Sequence, residues 1–174
     1  DLDEAVRGTF DAVRSRILPD APENVRRGCH LQGNEFNVTL KPNFETGGPD
    51  AEAVIDDGLV HLIDLLGEVV VDRIGDDLAD LDAGSLDPAD RGAAWARTHY
   101  AAADPEIRAV IEATASDGPA EAGAIPEPIA SLFDRIDVGY YHADAAEISS
   151  LELDKVAGVE AALDVLDVRD PFLL

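Results

Sequence analysis

Apolar positions recur at helical spacing over most of the chain. In residues 2–18, Leu2, Val6, Phe10, Val13 and Ile17 fall on one stripe, with Arg7, Asp11 and Arg14 off it, and Pro19 ends the segment. Pro22 to Gly28 reads as a connector. The period then changes to two. Phe36, Val38 and Leu40 alternate with Asn37 and Thr39, as in a half-buried strand, and Gly33-Asn34 offers a turn back to Cys29-His30-Leu31. A small hairpin over 29–41 follows, closed by Pro42 and the Gly47-Gly48-Pro49 cluster.

Residues 50–66 carry the widest apolar face, with Val54, Ile55, Leu59, Leu62, Ile63 and Leu66. The β-branched run Val69-Val70-Val71 after Gly67 reads either as a strand or as continued helix. Ile74 and Leu78 extend the i, i+4 stripe from Val70, so one helix to about Asp80 is expected. Asp87-Pro88 and Asp104-Pro105 each place an N-cap before a first-turn proline, which opens helices near 88–103 and 105–115. Residues 116–128 form a Pro/Gly/Ala-rich surface loop. Ile129, Leu132, Phe133 and Ile136 mark a short helix, and Val138 to His142 an extended stretch. Ser149 with Glu152 has the spacing of a capping box before a helix over 151–167. The fold class is therefore mainly α, a single domain over 1–174 with five or six helices and a small hairpin after the first. α+β is the alternative.

Charge changes the picture more than any motif does. The chain holds 37 Asp and Glu against 13 Lys and Arg, for a net charge of −24 over 174 residues. The acids are mostly Asp (24 against 13 Glu), and Lys is confined to Lys41 and Lys155. Such self-repulsion disfavours the compact state in dilute buffer, whereas at molar salt the Debye length falls to about 3 Å. By composition, over its whole length, the chain resembles acidic proteins of salt-in halophiles such as the haloarchaea. A disordered acidic tail would lack the regular apolar spacing and the 46% hydrophobic content. Net charge does not exclude nucleic acid, because molar salt removes most long-range phosphate attraction for any protein.

Cys29 is the only cysteine, so no internal disulfide forms. No apolar run reaches the roughly 18 residues a membrane span needs, and no membrane association is expected. The first ten residues, DLDEAVRGTF, lack the basic and apolar regions of a signal peptide.

Candidate chemistry is sparse. Arg26-Arg27 is the only dense basic pair and suits a phosphate or carboxylate, with Lys41 near it across the hairpin; pairing with the chain's own acids is the plainer reading. His61, Asp64 and Glu68, at i, i+3 and i+7, share a helix face compatible with acid–base or metal chemistry. A boundary histidine with solvated acids is the plainer reading. Cys29, His30, His99 and His142 show none of the usual metal-ligand spacings, so no metal, cofactor or catalytic residue is assigned. Trp95, His99 and Tyr100 read as core and rim. Tyr140-Tyr141-His142 is a candidate contact edge, with an edge of the core as the plainer reading. At the C-terminus, Phe172, Leu173 and Leu174 would each gain about 1.5–3 kcal/mol from burial, on their own domain or on a partner.

The expectation is a non-enzymatic interaction or assembly subunit of a halophile, in a cellular complex or a virion, with a protein partner or homo-oligomerisation. Its place would be a high-salt cytoplasm, or a virion. The interaction residues would be Arg26, Arg27, Tyr140, Tyr141, Phe172, Leu173 and Leu174. The alternatives are an enzyme or small-molecule binder using His61, His99, Trp95 and the arginine pair, and a nucleic-acid-associated regulator using Arg26, Arg27 and Lys41. The halophilic reading predicts a melting temperature that keeps rising with KCl into the molar range, beyond the concentration that screens charge. A flat or falling melting temperature would contradict it.

Overall fold

The computed structural model describes residues 3–74, 86–114 and 122–152. In chain order these form α1 (Glu4–Arg16), α2 (Glu23–Gly28), β1 (Cys29–Asn34), β2 (Asn37–Pro42), α3 (Pro49–Ile74), α4 (Pro88–Ala103), α5 (Pro105–Thr114), α6 (Glu127–Phe133), β3 (Ile136–Tyr140) and β4 (Ala146–Ser150). The described part is thus mainly helical with a four-stranded antiparallel sheet, the α+β form of the expected fold.

Aspartates start three of the helices, α1, α4 and α5. The Asp3 carboxylate accepts from the Ala5 amide at 2.8 Å to cap α1, and Asp87 accepts from Ala89 at 3.0 Å to cap α4. Asp104 accepts from Glu106 at 2.7 Å ahead of α5. Each satisfies an amide that the first turn leaves unpaired and places negative charge at the positive end of the helix dipole. The two Asp-Pro starts therefore fall where the sequence puts them.

The organising element is α3, 26 residues and roughly 39 Å long. Its residues 69–71 continue the helix, because Val69, Val70 and Val71 are all buried among neighbouring helices. One face of α3 takes α1 and another takes α4, while the sheet and α5 and α6 close over the remainder. Ile55, Leu59, Leu62, Ile63 and Leu66 are fully buried as a result.

The α3–α4 contact depends on two glycines. A Cβ at Gly67 would stand 2.1 Å from the Gly92 carbonyl oxygen, and one at Gly92 would stand 2.4 Å from the Gly67 oxygen. The two backbones meet with no side chain between them. Asp64 and Arg97 tie the same crossing further along, through two hydrogen bonds of 2.5 Å. This bidentate geometry holds the helices in register as well as together.

Strand order is β1-β2-β4-β3, two hairpins joined through β2 and β4. Val38 faces Ile148 and Leu40 faces Ala146 across that junction, and these side chains with Ile136 and Val138 bury one face of the sheet. Asn37, Thr39, Glu147, Ser149 and Asp137 alternate with them on the other face. Thr39 donates to Glu147 at 2.5 Å there.

Several expectations are corrected. Pro22–Gly28 is not a plain connector but contains α2. The first hairpin turns at Glu35-Phe36 rather than Gly33-Asn34, because Asn34 accepts from the Phe36 amide at 2.8 Å and Asn37 accepts from the Asn34 amide at 2.9 Å. Ile136 belongs to β3 and not to a helix. Ser149 opens no capping box: it lies in β4, and Glu152 instead ion-pairs with Arg135. Leu78 and the helix proposed for 151–167, apart from Leu151 and Glu152, lie outside the described residues, as do Phe172, Leu173 and Leu174.

Gly67→Ala is expected to cost about 3 kcal/mol or more, because backbone must move to admit the methyl group. Gly47, with nothing within 4 Å of an added Cβ, serves as control, and Gly47→Ala should change stability by less than about 0.5 kcal/mol. Thermal melts in molar KCl compare the two. Equal melting temperatures would show that the helices are not in backbone contact.

Candidate functional site

The acid–base candidates on α3 part company. His61 donates from Nε2 to the carbonyl of Ile17 at 2.9 Å, closing the C-terminal end of α1. Asp64 is committed to Arg97 on α4. Glu68 accepts from Arg16 on α1 at 2.8 Å, and the same guanidinium holds Asp20 at 2.8 Å and Asp72 at 3.7 Å. Three residues that share a helix spacing thus tie α3 to two different helices. His61 and Glu68 engage partners on the α1 side and Asp64 one on α4.

The α4 candidates point into the core. Trp95 donates to the Ala122 carbonyl at 3.0 Å. Tyr100 donates to the carbonyls of Ile136 and Phe133 at 3.1 and 3.3 Å, joining α4 to the start of β3. Burial raises its phenol pKa far above the ordinary value, so it stays protonated. His99 packs edge-on to Tyr100, with ring centroids 4.9 Å apart, and lies 3.5 Å from Asp134. Its pKa is lowered by burial, against which Asp134 acts in the opposite direction. Cys29 is buried, and that burial pushes its thiol up to about 11, which favours the protonated form at neutral pH. Among the described residues no three His, Cys, Asp or Glu side chains form a group that could hold a metal ion.

The remaining candidates collect at one end of the sheet. The register pairs Cys29 with Pro42, His30 with Lys41, and Ala146 with both Leu40 and Tyr140. Arg26 and Arg27 at the end of α2, the residues after Pro42, and the Tyr141–Asp144 turn therefore share an edge about 14 Å wide across four strands. Arg27 pairs with Glu23 at 3.2 Å, and Lys41 with Asp144 at 3.5 Å. The Arg26 side chain is exposed and has no hydrogen bond or ion pair among the described residues.

The two tyrosines differ. Tyr140 donates to Asp56 on α3 at 2.5 Å, and burial, that bond and nearby acids raise its pKa. Tyr141 is exposed, and its ring lies over Gly139, where a Cβ would stand 3.0 Å from it. His142, in the turn, is the only described non-glycine residue with positive φ, at 44°. Its ring sits 5.0 Å from Tyr140.

Sequence patterning missed Phe44. It is fully exposed, at 105% relative accessibility, on a turn that is itself firmly held. The Asn43 amide donates to the Gly28 carbonyl at 2.7 Å, the Thr46 amide to Asn43 at 2.8 Å, and the Thr46 hydroxyl to Gly28 at 3.0 Å. The Asn43 side chain also donates to Arg27 at 2.7 Å. Beside this turn runs an open groove of ≈ 580 Å³, whose lining includes Glu23, Arg27, Gly28, Thr46, Asp50 and Val54. The available signal was a lone aromatic in a Pro/Asn/Gly-rich loop, where no core position needs one.

No family model, curated protein or solved structure matches the chain. No described helix is long and apolar enough to cross a membrane; α3 itself carries Asp56, Asp57, Asp64, Glu68 and Asp72.

His99 gives the site a pH test. Unfolded, it takes up a proton near its ordinary value of 6.5; folded, it does so only at lower pH. In that window the unfolded state binds more protons, so this contribution is complete above about pH 6.5 and is lost on acidification. His99→Gln should flatten the fall in melting temperature between about pH 7 and 5 relative to the parent chain. An unchanged slope would show that His99 titrates alike in both states.

Proposed function

We propose that this chain is a non-enzymatic interaction or assembly subunit of a salt-in halophile, with the Phe44 end of the sheet as its contact surface. Its setting is a cellular complex in a high-salt cytoplasm, or alternatively a virion. The observation that carries this reading is a fully exposed phenylalanine on a turn fixed by four hydrogen bonds. Molar salt makes exposure of an aromatic ring more unfavourable, because excluded salts strengthen apolar burial. A rigid aromatic is also the side chain that loses least conformational freedom when it becomes an interface anchor. Tyr141 and Arg26, both exposed at the same end of the sheet, add two more residue types favoured at contacts.

The histidines and acids that would have supported an enzymatic reading serve instead as helix ties and core contacts.

Tagged chain expressed in a salt-in host and fractionated in molar KCl tests the proposal. The parent chain should run well above its own mass of 18.5 kDa. Phe44→Ser should run as the free chain, with an unchanged melting temperature because the ring makes no internal packing. Migration of the parent chain at its own mass would overturn the reading.

A further inference from the structure

Phe44 and the adjoining groove form a projection and a hollow side by side on one surface. Glu45 and Thr46, which follow Phe44 directly, line the groove together with Gly28 and Val54, and charged side chains, Glu23, Arg27 and Asp50 among them, complete it. A patch that carries a projection next to a hollow has the two elements that a two-fold contact between copies uses. Rotation places each Phe44 over the other copy's groove, so that residue i meets residue j and j meets i.

The charges on the patch fit the same operation. Arg26 is an exposed cation whose side chain makes no ion pair among the described residues, and neither do those of Glu45 and Asp50 close by. Within one copy these groups are left over. About a two-fold axis, the Arg26 of one copy has unpaired carboxylates of the other to meet. A net charge of −24 opposes association of any two copies, so a contact has to be placed where both signs and apolar surface occur together. This patch combines the three.

We infer that the chain forms a two-fold dimer in which Phe44 of each copy enters the groove between α2 and the start of α3 of the other, flanked by Arg26 to Glu45 and Asp50 pairs. The inference rests on the proposed contact role of Phe44 and names a second copy as the occupant.

Sedimentation velocity of the purified chain in molar KCl, over a dilution series, tests it. The parent chain should be dimeric and dissociate on dilution. Phe44→Ser should be monomeric throughout, with an unchanged melting temperature. Arg26→Glu and Glu45→Arg should each weaken the dimer by roughly tenfold at the lowest KCl that keeps the chain folded, and the double charge exchange should restore it. A parent chain that stays monomeric at every concentration, or a Phe44→Ser variant that dimerises equally well, would overturn the dimer. A monomeric purified chain that still enters a Phe44-dependent assembly in host extract would refute the second copy while leaving the contact role intact. Loss of both would refute both.

Discussion

Backbone-to-backbone contact between Gly67 and Gly92 is the constraint on which the rest of the structure depends. It brings α4 so close to α3 that Asp64 can grip Arg97 with both oxygens, and Trp95 and Tyr100 reach into the core. Tyr100 then fixes the end of α6 and the start of β3 through the carbonyls of Phe133 and Ile136. The sheet inherits its position from that bond on one side and from Leu40 and Val38 on the other. The packing is dense enough that a single methyl group at the crossing displaces backbone, not merely a side chain.

Arginine carries a disproportionate structural load in this acidic chain. Arg16 gathers Asp20, Glu68 and Asp72, while Arg135 links Asp3 to Glu152. Each guanidinium joins segments distant in sequence and absorbs carboxylates that would otherwise repel across a helix junction. A planar fork with several donors suits that task better than an ammonium on a flexible stem. Lys41, the one described lysine, makes only a long surface pair. Arg16 and Arg135 thus sit where the fold crowds negative charges.

Much of the helical frame was legible in the sequence because its signals are local. Asp-Pro starts, the stripe from Val6 to Ile17 and the unbroken apolar face of residues 54–71 specify helices before any tertiary contact forms. β4 was not legible. Ala146, Ile148 and Ser150 alternate only weakly, and the strand exists because β2 and β3 lie on either side of it. The hairpin turn was displaced by two residues because Asn34 and Asn37 side chains, rather than a glycine, close it. The acids and histidine on α3 were compatible with a shared site because helical spacing allows them one face, and spacing alone does not reveal which helix each side chain will meet. Phe44 went unread for the opposite reason: an isolated aromatic in a loop has no periodicity, and only its full exposure on a braced turn marks it.

Phe44 can serve as a contact anchor only when its turn presents it rigidly rather than carrying it on a loose loop. Amide hydrogen exchange of the free chain in molar KCl, resolved at Asn43 and Thr46, measures this directly. Bonds from Asn43 to Gly28 and from Thr46 to Asn43 predict slow exchange at both amides, comparable with the flanking strand β2. Exchange at the rate of an unprotected peptide at either position would contradict the account.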